Sequence, residues 1–305
     1  MLDDRDPLVY KNRVMTKVLQ KRDGNDRSVS FICDFSPPSS PDDGFLEDVL
    51  LIEADFISVA CNPGKAVKTH SVIGAYWIKE KTGKDVIFTV ATRDLNKIAT
   101  QSLLLGASLL GLDNLVVVKG DKFTQKDLLD AQEVNDFSPT ELIYSVSAMN
   151  MGKDYKEAKL TQPTDFCIGA SIDLGSDITH QIMLTQRKLD AGAQYFLLQA
   201  VFDPQIVVDF VDIYEETYGL SFPVPIYCGI QIMKNNSLSF SKVPYWVGED
   251  LKRGRSGEEI AIEILERFIE KRFNAIYLIP PIIRGGSRDY GMARRVINAV
   301  KPQRL

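Results

Sequence analysis

Eight short apolar runs, rich in β-branched and aromatic residues, recur along the chain at 29–35, 56–60, 86–91, 115–118, 166–171, 195–199, 224–230 and 275–279. The sharpest is Leu115-Val116-Val117-Val118, which stops at Lys119, Gly120 and Asp121. Four apolar residues in a row are too few for a helix and too uniform for a strand with one wet face. They read as a strand buried on both sides, as in a parallel sheet. Gly120 lets the backbone turn, and Asp121 is left at the carboxyl end, where α/β folds bind ligands. Between the runs, Ile98, Leu105, Leu109 and Leu112 share a helical stripe, as do Ile178, Ile182 and Leu189, then Ile206, Phe210 and Ile213, and finally Ile260, Ile264 and Phe268. Strand and helix therefore alternate.

The punctuation agrees with this reading. Gly83, Gly111, Gly192 and Gly219 stand where helices end before the next strand, a position that favours the left-handed conformation. Ser138-Pro139-Thr140-Glu141 supplies an N-cap, a proline at the first helical position and a capping-box acid. Eight βα units in 305 residues fit a single (β/α)8 TIM barrel over 28–305, preceded by an extension, 1–27, expected to be helical. A doubly wound open sheet is the alternative, but its GxGxxG phosphate loop is absent. The longest insertions, 122–137 and 231–257, follow strand ends and are expected as loops over the mouth.

Composition narrows the function classes. A net charge of −5 argues against a nucleic-acid partner. No apolar run approaches membrane-spanning length and the amino terminus lacks a signal-peptide core, so a cytoplasmic protein without a membrane partner is expected. Cys33, Cys61, Cys167 and Cys228 lack CxxC spacing and read as small buried hydrophobes, and with only His70 and His180 no metal centre is expected.

In a barrel, chemistry sits where strands stop. Those positions are Asp34, Asn62, Arg93 and Asp94, Lys119 and Asp121, Asp173, Gln199 and Asp203, and Arg284. Asp34, between Cys33 and Phe35, reads either as a lone, partly desolvated carboxylate able to serve as a general acid or as a turn cap before Pro37-Pro38. Asp121 is either a hydrogen-bond acceptor for a heterocycle or a loop cap. Gln199 can pair with both edges of a ring or be buried against backbone. Lys119 as a Schiff-base lysine is disfavoured by the nearby Asp121. The run Arg284-Gly285-Gly286-Ser287-Arg288 reads as a glycine turn or a phosphate cradle.

The chain resembles the methylenetetrahydrofolate reductase family, closest in pattern to the reductase halves of bacterial homocysteine methyltransferase fusions. The resemblance rests on Asp34 followed by Pro37-Pro38, Thr69-His70-Ser71, Gln101-Ser102-Leu103-Leu104-Leu105-Gly106-Ala107, Gly120-Asp121, Arg187-Lys188-Leu189-Asp190-Ala191-Gly192-Ala193-Gln194, Gln199-Ala200-Val201-Phe202-Asp203 and Tyr277-Leu278-Ile279-Pro280-Pro281. It implies FAD at the barrel mouth, NADH or NADPH as donor, and hydride transfer to 5,10-methylenetetrahydrofolate giving 5-methyltetrahydrofolate, a step of one-carbon metabolism and methionine biosynthesis. It implies Asp34 as the acid and Asp121 as its catalytic partner, with Gln199, Asp121 and Arg284 on the folate. Thr89, Gly120, Asp121, Ser171, Asp173, Arg187 and Lys188 would line the flavin.

Several positions depart from the family pattern. The acid is Asp in place of Glu, Ala60 and Ala91 replace threonines, Thr89 replaces a histidine, and Ser171-Ile172 or Asp173-Leu174 replaces a Tyr-Pro or Asn-Pro pair. These departures leave two other expectations open: a folate-binding accessory subunit without flavin chemistry, or a flavin-independent reductase. A homo-oligomer is the default assembly, and an electron-donor partner protein is left open.

Overall fold

The computed structural model describes residues 15–20, 28–175, 177–239, 241–283 and 286–301. Among these, eight strands close into one parallel barrel in sequence order: β1 (Ser30–Phe35), β2 (Phe56–Val59), β3 (Val86–Ala91), β4 (Asn114–Val118), β5 (Cys167–Ile172), β6 (Tyr195–Ala200), β7 (Ile226–Gln231) and β8 (Ala275–Ile279). Closure is made by β1 against β8, with Ile32 opposite Tyr277. The helices are α1 (Leu46–Leu50), α2 (Ser71–Thr82), α3 (Lys97–Leu109), α4 (Pro139–Asn150), α5 (Ile178–Asp190), α6 (Gln205–Tyr218), α7 (Tyr245–Lys252), α8 (Gly257–Glu270) and α9 (Tyr290–Val300). The fold is thus the (β/α)8 barrel that the alternation implied.

Local signals act as their chemistry dictates. Gly83 and Gly219 close α2 and α6 at φ 67°, and Ser138 with Glu141 forms the complete capping box of α4. The insertion after β7 is only partly loop, because 245–252 is helical: Pro244 is its extended N-cap, and its carbonyl accepts the Val247 N–H at 3.2 Å. Of the amino-terminal extension, 15–20 forms a turn and not the expected helix, and the remainder lies outside the described residues. That turn closes the barrel floor. Val18 is fully buried and donates its N–H to Asn114 Oδ1 (3.0 Å), while Asn114 Nδ2 donates to Thr16 O (3.0 Å) and Val86 O (3.3 Å).

Side chains alternate across each strand. One set, including Phe31, Cys33, Phe35, Phe88 and Val90, packs outward against the helices. The other fills the lumen: Ile32, Phe56, Ile87, Val116, Cys167, Tyr195, Leu197, Tyr227 and Ala275 form an apolar plug with Val18. Tyr195 spans this plug and donates to Leu115 O at 3.0 Å; a Cβ on Gly169 would stand 2.4 Å from its ring, so glycine is required there.

Candidate functional site

Further along most of the strands, the lumen-facing positions change character. Asp34, Ser58, Thr89, Ser171, Gln231 and Tyr277 lie above the apolar plug, toward the carboxyl ends. Polar side chains therefore gather at the mouth.

Asp34 is 7% exposed and is not a lone carboxylate. Tyr277, across the β1–β8 seam, donates its hydroxyl to Oδ1 at 2.8 Å, and Arg288 Nε lies 3.4 Å from Oδ2. The turn-capping alternative does not describe it either, since both oxygens face into the mouth cluster. Burial, and then the negative charge of Asp34 beside it, push the Tyr277 hydroxyl well above its ordinary pKa, so it stays protonated. Burial does the same to the Cys33 thiol behind the strand. Tyr290 of α9 stacks on Phe35 (5.2 Å between centroids) and accepts the Ser36 N–H at 3.0 Å, fixing the turn after β1.

Gln199 reaches the mouth through a distortion. Pairing between β6 and β7 shifts between Leu197 and Ala200, so one extra residue is accommodated on β6. The bulged backbone lies against Gly229, where a Cβ would stand 2.2 Å from Leu198 O. Gln199 is exposed, which removes the buried-glutamine reading, and its side chain makes no hydrogen bond to another described residue. Gln231, at the end of β7, is 3% exposed and donates to Leu238 O at 2.7 Å.

The β2–β4 side carries a polar network. Arg93 grips Asp94 with Nε (2.5 Å) and a second nitrogen (2.9 Å), and its third nitrogen donates to Asp121 O at 2.9 Å. Asn62 Nδ2 joins Asp94 at 3.1 Å. Asp121 is exposed, and its carboxylate accepts the Gly64 N–H at 3.2 Å, which ties the loop after β2 to the loop after β4. Lys65 extends the link to Asp127 at 2.6 Å. Gly120, at φ 88°, makes the turn that a Cβ would obstruct, 3.1 Å from Arg93 Cβ.

On β5, Ser171 points toward the lumen and its carbonyl accepts Lys188 Nζ at 2.6 Å. Burial of this amine between α5 and the strand lowers its pKa to about 8. Arg187, one residue earlier, is exposed, and Asp173 is exposed with Oδ1 accepting the Gly175 N–H at 2.9 Å in a local turn. Arg284 lies outside the described residues.

The methylenetetrahydrofolate reductase family model matches residues 20–274. The chain belongs to the methylenetetrahydrofolate reductase family. Among solved structures, an uncharacterized protein from Clostridium thermocellum, described as binding two copies of 5-methyl-5,6,7,8-tetrahydrofolic acid, shares the fold with a TM-score of 0.58 at 13% identity, over 90% of this chain and 96% of its own. No curated protein matches the sequence.

Whether this reductase-family barrel suits a flavin nucleotide is tested by Lys188. It is a buried ammonium whose one hydrogen bond to a described residue goes to a carbonyl, with no carboxylate among the described residues in ion-pair reach. An anion brought to it would relieve the cost of burying its charge. Thr89, Ala91 and Ser171 keep side chains small on the same arc of the barrel. The residues fit such a group there. Two mouth residues escaped the sequence reading as site members, Tyr277 and Gln231, while Arg288, read only as part of a glycine turn or phosphate cradle, lies against Asp34. Gln231 carries the signal that drew attention to Gln199, a polar residue closing an apolar run, whereas the convergence of Tyr277 and Arg288 on Asp34 spans more than 240 positions of sequence and has no local signature.

Proposed function

We propose that this chain is a methylenetetrahydrofolate reductase, moving hydride from NADH or NADPH by way of FAD to 5,10-methylenetetrahydrofolate and giving 5-methyltetrahydrofolate. The observation that carries the reading is the polar layer of Asp34, Tyr277, Gln199 and Gln231 set directly above an apolar plug, within a chain of this family. FAD, when bound, would accept hydride from the nicotinamide and deliver it to the folate. Thr89, Gly120, Asp121, Ser171, Asp173 and Lys188 would hold it, with Lys188 the cation available to a phosphate.

The chain's own residues supply binding and proton handling. Gln199, exposed at the bulge, offers donor and acceptor edges to a pterin, and Asp121 offers a carboxylate from the opposite arc. Asp34 would carry the proton that opens the folate five-membered ring, at a carboxyl oxygen addressed by Tyr277 Oη. The folate carried by the Clostridium thermocellum protein supports a folate ligand for this fold.

A second reading, folate binding without flavin, is favoured by Arg187, which points to solvent. The visible spectrum of the purified protein, before and after FAD is added and the excess removed, separates the two. A retained flavin band that bleaches with 5-methyltetrahydrofolate supports the reductase. Folate binding by a protein that retains no flavin and turns nothing over supports the accessory role, and folate-dependent NADH oxidation by flavin-free protein would support a flavin-independent reductase. Asp34→Asn should abolish turnover while folate binding persists; unchanged turnover overturns the role of Asp34.

A further inference from the structure

We propose that the outer faces of α2, α3 and α4 form a docking surface for a second copy of this chain, with α3 packing against its counterpart across a twofold axis. This surface lies on the outside of the barrel, away from the mouth.

A barrel helix buries one face on the sheet and turns the other to solvent, where charge is the rule. α6 and α8 follow it, exposing Asp209, Asp212, Glu216, Glu266, Arg267 and Glu270. α3 does not. No charged residue occurs from Ile98 to Leu112, and Ile98, Leu105 and Leu109 recur on its outer face, with Leu109 87% exposed. Its neighbours continue the patch. Lys79 of α2 donates to Leu110 O (3.1 Å) and Gly111 O (3.0 Å), and Gln101 of α3 donates to Ser145 Oγ of α4 (2.8 Å), so the three helices stand side by side. α2 adds Trp77, and α4 adds Tyr144 and Met151, all exposed. Among the described residues, the exposed charges of these helices are Glu80 and Lys81 at the end of α2 and Glu141 at the start of α4. An apolar centre inside a charged rim is the anatomy of a protein–protein contact.

Gly106 points to what covers the patch. A glycine within a helix costs stability relative to alanine, and a Cβ here would meet nothing within 4 Å, so no packing inside the chain calls for it. It stands five residues from Gln101, about 140° round the helix, and so on the flank toward α2. With Ser102 one turn earlier, it leaves a notch beside the ridge of Leu105 and Leu109. Notch and ridge on one helix are complementary under a twofold rotation, each copy setting its ridge into the other's notch. A patch without charge at its centre offers nothing to nucleic acid, an acidic peptide or a lipid headgroup. Its size also suits a second copy. A helix of this length runs about 20 Å, and three abreast span about 30 Å, a projected area of about 600 Å². The corrugated accessible area is larger, and so near the roughly 800 Å² that each partner gives to a stable contact.

Sedimentation equilibrium of the whole chain provides the test, with circular dichroism checking that each variant folds. The wild type should sediment at micromolar concentration with the mass of two chains or a multiple of two. Leu109→Glu alters a side chain that its own chain barely covers, and should halve that mass. Gly106→Gln, which fills the notch with a good helix former, should weaken association at least about tenfold, and serves if the glutamate variant does not fold. Met183→Glu, on the half-exposed face of α5 outside the patch, should leave the mass unchanged. A wild type that stays monomeric at about 100 μM overturns the proposal, since a contact of this size should hold there. Association as tight as the wild type's in either α3 variant overturns it too, as does equal dissociation by Met183→Glu.

Discussion

Replacing Lys188 with Met should make the folded protein more stable at pH 7, although it deletes a hydrogen bond. In the folded chain burial lowers the amine from its usual 10.5 to about 8, whereas in the unfolded chain it returns to the ordinary value. A difference of that size corresponds to about 3 kcal/mol working against folding wherever the amine is charged in both states. Methionine has a similar length and no charge, so the variant escapes this cost. It leaves Ser171 O without the Nζ donor, which costs about 1–3 kcal/mol, so the net gain is about 1 kcal/mol. The pH dependence gives the sharper signature. Between pH 8 and 10.5 the unfolded wild type binds more protons than the folded form at this site, so wild-type stability rises with pH relative to the variant. Urea unfolding of both proteins at pH 7 and pH 10 measures the difference, and subtracting one from the other cancels the shared titration of other groups. A difference that does not change between the two pH values refutes the reasoning. So does a variant destabilised at pH 7 by more than the lost hydrogen bond.

Gln199→Ala should leave stability within about 0.5 kcal/mol, because the side chain is exposed, yet weaken folate binding about tenfold by calorimetric titration. Gly229→Ala should cost about 3 kcal/mol or more in urea unfolding, since its Cβ would meet the Leu198 carbonyl at 2.2 Å. Asn114→Ala should cost about 3 kcal/mol and expose the barrel floor to amide exchange, as Val18 N–H loses its buried acceptor. His70 caps α2 by accepting the Val72 N–H at Nδ1, and burial lowers its pKa below 6.5. The unfolded chain therefore takes up that proton first, stability falls as pH drops below 6.5, and His70→Asn, a cap that does not titrate, should remove this loss in thermal melts.

Much of the architecture was legible because it depends on local chemistry. β3 and β8 begin and end where their apolar runs do, and Gly83, Gly111, Gly192 and Gly219 all adopt positive φ. The helix at 245–252 within the insertion after β7 is not legible, because Tyr-Trp-Val-Gly-Glu-Asp-Leu-Lys gives too short a periodic pattern to stand out from polar surroundings. At the site, alternation along β1 and β5 suffices to place Asp34 and Ser171 in the lumen. The solvation of Asp34 was not legible, because it depends on Tyr277 and on an arginine from the loop after β8.

The sequence by itself determined that strands and helices alternate eight times, that the strands are buried on both faces, and that carboxylates and amides stand at their ends. These follow from residue type and spacing within a dozen positions, where hydrophobic periodicity and backbone preference act. Tertiary structure alone decided which of those polar ends meet. Barrel closure brings β8 against β1 and so Tyr277 onto Asp34; antiparallel bridges from Leu238 to Ile282 and from Ile282 to Arg288 tie the segments after β7 and β8 together and set Arg288 beside Asp34; the β6 bulge over Gly229 opens Gln199 to the mouth. Each is a contact between groups distant in sequence, and their geometry is set by the closed barrel and its packing and by no local preference of the chain.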